Sequence, residues 1–272
     1  MSEVVALNDN GHMPSIGFGT WQLSDAEARK AVSQALKTGY RLIDTAMIYG
    51  NEAGVGQGIR DASVAREDIF VTTKLWDDDL GYDLAFTALD QSLEKLGLKY
   101  VDLYLIHWPA ARQRLQAWDA LVEMQNQGKI KHTGVSNFTQ RHLEELREHS
   151  DVVPVVNQIE FHPYLFEQQE ALLHYCDEQD IIVEAYSPLA QADLLDDPVV
   201  EEIAEQTGKT PGQVLIRWAI EHGTVPIPKS GNPGRIAENF DVFDFHLSDD
   251  AMDALNGLSN GERVTHDPEV HE

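Results

Sequence analysis

Asp44, Tyr49, Lys74 and His107 are a set of side chains whose types suit proton transfer to a carbonyl oxygen. A phenol has a reference pKa of about 10, too high for ready proton exchange at neutral pH. A neighbouring ammonium stabilises the phenolate and lowers that value, so Lys74 would make Tyr49 a usable general acid or base. Asp44 would hold Lys74 in place as its counter-ion. His107 would donate a hydrogen bond that aims a carbonyl at Tyr49. Together they suit a carbonyl polarised to accept hydride. Singly, each has a structural alternative: Asp44–Lys74 as a salt bridge, Tyr49 as a rim aromatic, His107 as a hydrogen-bonded core imidazole. All four follow successive apolar segments, and that shared placement favours chemistry.

Those segments recur about every thirty positions, each ending in polar residues. Leu42-Ile43 ends in Asp44, Ile69-Phe70-Val71 leads to Lys74, and Val101 to Ile106 ends in His107. Gly134-Val135 ends in Ser136-Asn137, Val155-Val156 in Asn157-Gln158, Ile181 to Val183 in Tyr186-Ser187, and Val225 to Pro228 in Lys229-Ser230. A strand–helix unit repeated with reactive groups after each strand predicts a (β/α)8 TIM barrel with its site at one mouth. Strands are expected at 16–20, 41–44, 69–74, 101–107, 132–136, 153–158, 181–186 and 224–228. Helices are expected at 25–38, from about 52, at 83–96, 115–127, 141–149, 167–178, 201–207 and 211–222, and from about 233. Val4 to Leu7 before Asn10-Gly11 predicts an N-terminal β-hairpin. Ser24 is a good N-cap for the first helix. Leu103, Leu105, Val135, Val156, Ile182 and Val183 read as core. Gly54-Val55-Gly56-Gln57-Gly58 lacks the preceding strand of a dinucleotide-binding turn and carries little functional weight.

The chain has 272 residues, and no linker or composition shift divides it, so one domain over 1–272 is expected. Neither an export segment nor an apolar run of about 20 residues is apparent, so no membrane partner is expected. Cys176 is the one cysteine and reads as a small packing residue in a reducing cytoplasm. With 46 Asp and Glu against 20 Lys and Arg, the formal net charge is −26. Such a surface repels nucleic acid. No interaction heptads are evident, and a monomer is expected.

Six segments resemble the aldo-keto reductases: residues 17–21 (GFGTW), 44–52 (DTAMIYGNE), 107–109 (HWP), 134–138 (GVSNF), 157–163 (NQIEFHP) and 227–230 (IPKS). They occur in family order over residues 4 to 260, with an overall pattern similar to the microbial branch that includes 2,5-diketo-gluconate reductases. The resemblance implies an NAD(P)H-dependent enzyme reducing aldehydes or ketones to alcohols. It makes Tyr49 the proton donor, Lys74 and Asp44 its tuning pair and His107 the orienting residue. It sets Thr20 and Trp21 beside the cofactor, Tyr186 on the nicotinamide face, and Ser136, Asn137 and Gln158 at its carboxamide. Ser187 and Leu189 would lie along the pyrophosphate. Lys229, Ser230 and Arg235 would take a 2′-phosphate, and Glu238 and Asn239 the adenine. Two cations and a hydroxyl at one phosphate favour NADPH, with NADH as the lesser cofactor. Gly231 departs from the larger residue of many relatives. Trp21, Met47, Trp76, His107 and Trp108 would line a pocket for a small-molecule carbonyl. The short polar tail 267–272 suggests an open pocket of broad specificity. The family uses no metal.

Two other functions fit parts of the same sequence. A metal-dependent barrel enzyme could use His107, Glu160, His162 and Glu184, but their spacing matches no ligand motif. A regulatory barrel that binds nicotinamide cofactor without turnover would not need all four catalytic positions. The charge also suggests adaptation to high internal salt, since the Debye length falls to about 3 Å near 1 M and self-repulsion is then screened. Thermal melts should accordingly shift upward with rising KCl, whereas equal melting temperatures in dilute buffer and molar salt would contradict the adaptation.

Overall fold

A computed structural model of the chain describes residues 3–111 and 113–270. His271 and Glu272 of the polar tail lie outside the described residues. The hairpin pairs β1 (Val4–Ala6) with β2 (His12–Pro14) in antiparallel register. Its turn uses Asn10 in the left-handed region, at φ 69°, which Asn tolerates better than most side chains.

Eight strands then form one parallel sheet in which sequential strands are neighbours. They are β3 (Gly17–Gly19), β4 (Leu42–Asp44), β5 (Phe70–Leu75), β6 (Val101–Ile106), β7 (Ile130–Ser136), β8 (Val156–Glu160), β9 (Ile182–Tyr186) and β10 (Val225–Pro226). The sheet curls back on itself: the Gly19 amide donates to the Pro228 carbonyl at 3.1 Å. A Cβ at Gly19 would sit 2.9 Å from the Ile227 carbonyl oxygen, so glycine permits this seam. The eighth strand is shorter than the expected 224–228 because Pro226 and Pro228 have no amide to donate. The sixth begins at Val156 rather than Val153, just past Pro154, and runs on to Glu160.

The helices are α1 (Asp25–Thr38), α2 (Glu52–Ala62), α3 (Tyr82–Leu96), α4 (Arg114–Asn126), α5 (Gln140–His149), α6 (Phe166–Glu178), α7 (Pro198–Thr207), α8 (Pro211–Glu221), α9 (Pro233–Phe240) and α10 (Asp249–Asn256). Helix α1 has the expected bounds because Ser24 and Glu27 form a capping box and Gly39 ends it. Helix α10 was not anticipated, although Ser248 before Asp249-Asp250 is a sound N-cap signal. Among the described residues no helix is long and apolar enough to cross a membrane.

Strand alternation assigns the two faces. Outward residues such as Ile43, Val71, Tyr104 and Val183 pack under the helices in the main core. Inward residues Leu42, Phe70, Leu103, Leu105 and Val156 fill the lower barrel with Leu7 and Met13 from the hairpin, which plugs that end. Each such buried side chain contributes about 2 kcal/mol. Two or four positions further along the same inward rows come Asp44, Lys74, Gln158 and Glu184. One periodicity thus stacks an apolar floor beneath a polar mouth. Cys176 is free and fully buried, which pushes its thiol up to about 12, in keeping with packing.

The glycine run of α2 also serves packing. A Cβ on Gly54 or Gly56 would come 2.0 Å from the Asp25 or Leu96 carbonyl oxygen, so α2 lies directly on the backbone of α1 and α3. Gly→Ala inside a helix ordinarily stabilises by about 1 kcal/mol, but a backbone clash costs about 1–3 kcal/mol or more. Gly56→Ala should therefore lower stability, read as a reduced urea midpoint; a raised midpoint would refute the close approach.

Candidate active site

Asp44 ends β4, Lys74 lies near the end of β5, Tyr49 sits in the short turn after β4, and His107 follows β6. Lys74 is fully buried and spends its three protons on three acceptors. These are Asp44 Oδ1 at 2.6 Å, the Thr45 carbonyl at 2.9 Å and the Tyr49 hydroxyl at 3.3 Å. The His107 ring meets Tyr49 edge-on at 5.8 Å and Trp76 at 5.2 Å between centroids. All four residues that could do the chemistry therefore converge. Burial works against the Lys74 charge, but Asp44 and Tyr49 outweigh it and raise its pKa.

For Tyr49 the expected lowering is corrected. Burial pushes the phenol up, Lys74 pulls it back, and Asp44 and Glu184 push it up again, leaving its pKa raised. The reason is geometric: the ammonium stands closer to Asp44 than to the phenol, and much of its charge is already answered there. A raised pKa keeps Tyr49 protonated, the form a proton donor needs, while Lys74 remains at hand for the phenolate that donation leaves.

The ladder aligns Ser136, Gln158 and Glu184 across β7, β8 and β9. Gln158 Nε2 donates to Asp44 Oδ2 at 2.8 Å and to Glu184 Oε2 at 2.5 Å, so both amide protons are committed. Ser136 donates to the Gln158 carbonyl at 2.9 Å. Asn137, in the left-handed region at φ 62°, donates to the His107 carbonyl at 3.0 Å and to Ser136 Oγ at 3.1 Å. The Tyr186 hydroxyl donates to Asn137 Oδ1 at 2.8 Å. Free lone pairs on Gln158 Oε1 and Asn137 Oδ1 remain, and these are acceptors suited to an amide NH2. Glu184 belongs to this row, although the sequence offers it only as a ligand in the metal-dependent alternative; a lone carboxylate within the apolar run 181–185 is the signal for a place in the barrel interior.

Two further expectations are corrected. Met47 packs against the core, and its neighbour Ile48 lines the cleft instead. Thr20 is fully buried and donates to the Asp44 carbonyl at 2.9 Å, so it braces the strand end rather than facing the cleft. Trp21, Trp76 and Trp108 do line it. The wall also includes Arg263 to His266, a strap beyond the motif-bearing region that sequence patterns missed. Its anchor is the fully buried Glu160, which accepts from the Val264 amide at 2.6 Å, from Thr265 Oγ1 and from His162 Nε2 at 2.9 Å. Burial opposes the Glu160 charge, yet these hydrogen bonds lower its pKa. Thr265 also meets the Tyr186 hydroxyl at 2.9 Å. Glu160 and His162 thus face the strap while Glu184 faces Gln158, and among the described residues no three metal-binding side chains converge.

The cleft, about 1190 Å³, runs from these residues past Ser187 and Leu189 to Lys229, Ser230, Arg235, Glu238 and Asn239. Arg235 Nε donates to Ser230 Oγ at 3.3 Å, and Glu238 accepts from Thr210 Oγ1 at 2.9 Å. Among the described residues neither Lys229 nor Arg235 has a carboxylate at ion-pair distance. In a chain with 46 acidic residues, that leaves two exposed cations available to an anion.

A barrel with a hydrogen-bonded Asp-Lys-Tyr set at the mouth of one long cleft defines a carbonyl-reducing oxidoreductase of the type the motifs resemble. The model of the aldo/keto reductase family matches residues 15–260, and the chain belongs to that family. It is 47% identical to the glyoxal reductase of Bacillus subtilis (strain 168) over 270 residues, covering 99% of this chain and 97% of that one. Among solved structures, a mutant of Gox0644 in complex with NADPH superposes with a TM-score of 0.94 at 42% identity, covering 99% of this chain and 98% of that one. A Bombyx mori aldo-keto reductase in complex with NADP gives 0.93 at 38% identity, covering 98% and 95%.

Proposed function

We propose that the cleft binds NADPH and that Tyr49 protonates the oxygen of a small aldehyde or ketone whose carbon receives the hydride this cofactor supplies. When bound, NADPH would supply the hydride for the new C–H bond; the Tyr49 O–H bond breaks as the substrate O–H bond forms, and the carbonyl becomes an alcohol. The observation that carries this reading is the Tyr49 hydroxyl, 3.3 Å from the buried Lys74 ammonium and facing the cleft. Lys74 stabilises the phenolate left behind, Asp44 holds Lys74, and His107 orients the substrate oxygen. Proton donation of this kind contributes about 10²–10⁴-fold to the rate.

The donor set suits the cofactor. Gln158 Oε1 and Asn137 Oδ1 would accept from the carboxamide, with Ser136 bracing both, and Tyr186 would lie against the nicotinamide. Ser187 and Leu189 would follow the pyrophosphate, while Glu238 and Asn239 would meet the adenine. Lys229, Ser230 and Arg235 would take the 2′-phosphate, which NADH lacks. Trp21, Ile48, Trp76 and Trp108 give the substrate end an apolar wall, and the strap narrows it. The B. subtilis relative is named for glyoxal, and short, polar carbonyls are the class we assign here. We also infer a monomeric, single-domain enzyme of the cytoplasm, for which the lone buried thiol is support.

Tyr49→Phe should retain NADPH binding, read by fluorescence titration, and lose at least about a hundredfold in kcat for aldehyde reduction. Wild-type turnover in that variant would refute the proton-donor assignment. Arg235→Ala should raise KM for NADPH by about tenfold or more with KM for NADH little changed; equal effects on both cofactors would remove the phosphate contact.

A further inference from the structure

Glu184 is a buried ionisable side chain that the reaction above leaves unused. It is fully buried in β9, and among the described residues its Oε1 has no hydrogen-bond partner. Its Oε2 accepts one Gln158 Nε2 proton at 2.5 Å, while the other goes to Asp44 at 2.8 Å. Two carboxyl groups therefore flank one amide. Asp44 from β4, Lys74 from β5 and Tyr49 from the turn after β4 are the charged and titratable groups that face Glu184. Strand β8 brings the neutral Gln158 in register, and β10 sets Val225 on the other side.

One cation cannot answer two buried carboxylates, so one of them takes a proton. Asp44 holds the ammonium at 2.6 Å and stays the anion. We propose that Glu184 is a positioning residue that carries this proton at neutral pH. In that form it fixes the Gln158 amide with Oε1 presented to the cleft and leaves Asp44 the sole anion beside Lys74 and Tyr49. With both Nε2 protons held by carboxyl oxygens, the Gln158 amide cannot turn over without abandoning two short hydrogen bonds. Its catalytic consequence rests on the proton-donor reading of Tyr49; its protonation does not.

Burial and the Asp44 charge push the Glu184 carboxyl up to about 8, against Gln158 and Lys74. Above that pH a second negative charge enters the cluster; it is this charge that adds the Glu184 contribution to the raised Tyr49 pKa and makes the phenol a poorer acid. A folded-state pKa above the ordinary carboxyl value of 4.5 means that stability is fully present below 4.5 and declines as pH rises toward about 8.

The test is NADPH oxidation with a simple aldehyde, and melting temperature, for wild type, Glu184→Leu and Glu184→Gln from about pH 5 to about pH 9. Wild-type kcat should fall through an inflection near 8. Glu184→Leu should raise KM for NADPH roughly tenfold, the loss of about one hydrogen bond, and Glu184→Gln should recover that KM and abolish the inflection. The melting temperature of Glu184→Gln should climb relative to wild type from 4.5 to about 8 and then level. An inflection that survives in Glu184→Gln, an unchanged KM in Glu184→Leu, or parallel melting curves would each overturn the proposal. Should Glu184→Leu not fold, the other two proteins decide it. The melting curves also stand apart from turnover, so a failed Tyr49 assignment would leave them readable.

Discussion

The buried Asp44–Lys74 pair is the constraint on which the mouth of the barrel depends. Removing both charges from water costs several kcal/mol per ion, and attraction offsets this only where every remaining donor and acceptor is met. Here the accounting is complete: three ammonium protons reach Asp44, Thr45 and Tyr49, and the second Asp44 oxygen accepts from Gln158. The Tyr49 hydroxyl is one of those three acceptors. Satisfying the lysine and placing the phenol are therefore one requirement, and a shift of either leaves a buried charge short of a partner.

Two levels of structure hold that arrangement. The strands set Asp44, Lys74, Gln158 and Glu184 by inward register, above an apolar floor that does not yield. Tyr49 belongs to no strand, and its turn is pinned by Asn51. That amide donates to the Thr20 and Leu23 carbonyls at 2.9 Å and accepts from Thr45 at 3.1 Å, tying the turn after β4 to the loop after β3. Thr20 in turn donates to the Asp44 carbonyl. Two buried polar side chains, Thr20 and Asn51, thus decide where the phenol stands.

This division explains what was legible in the sequence. Spacing alone disclosed the barrel, and the polar residues after each strand disclosed most of the cleft, because strand ends are fixed by register. Helix α1 was readable to its last residue since Ser24, Glu27 and Gly39 act locally. Strand ends near Pro154, Pro226 and Pro228 were misjudged where a missing amide outweighs apolar character. Which of Met47 and Ile48 faces the cleft depends on a tight turn whose rotation no periodicity reports. The strap at 263–266 has no pattern of its own and is held by a glutamate a hundred positions away. The sign of the Tyr49 shift was hidden for a related reason: one cation pulls against burial and two carboxyl groups, and burial is a property of the assembled barrel.

The same balance separates how the two ends of the cleft meet salt. At the substrate end the charges are buried and in contact, beyond the reach of mobile ions, so the Asp44–Lys74–Tyr49 linkage is nearly independent of ionic strength. Lys229 and Arg235 are exposed, and their attraction for a phosphate weakens as the screening length contracts. Long-range repulsion between a surface of net −26 and an anionic cofactor contracts with it. At molar salt a short-range contact to such a phosphate would remain while the opposing field is gone. An acidic surface therefore costs little affinity for an anion in the cleft where salt is abundant, and the buried Asp44–Lys74 pair is untouched by the exchange.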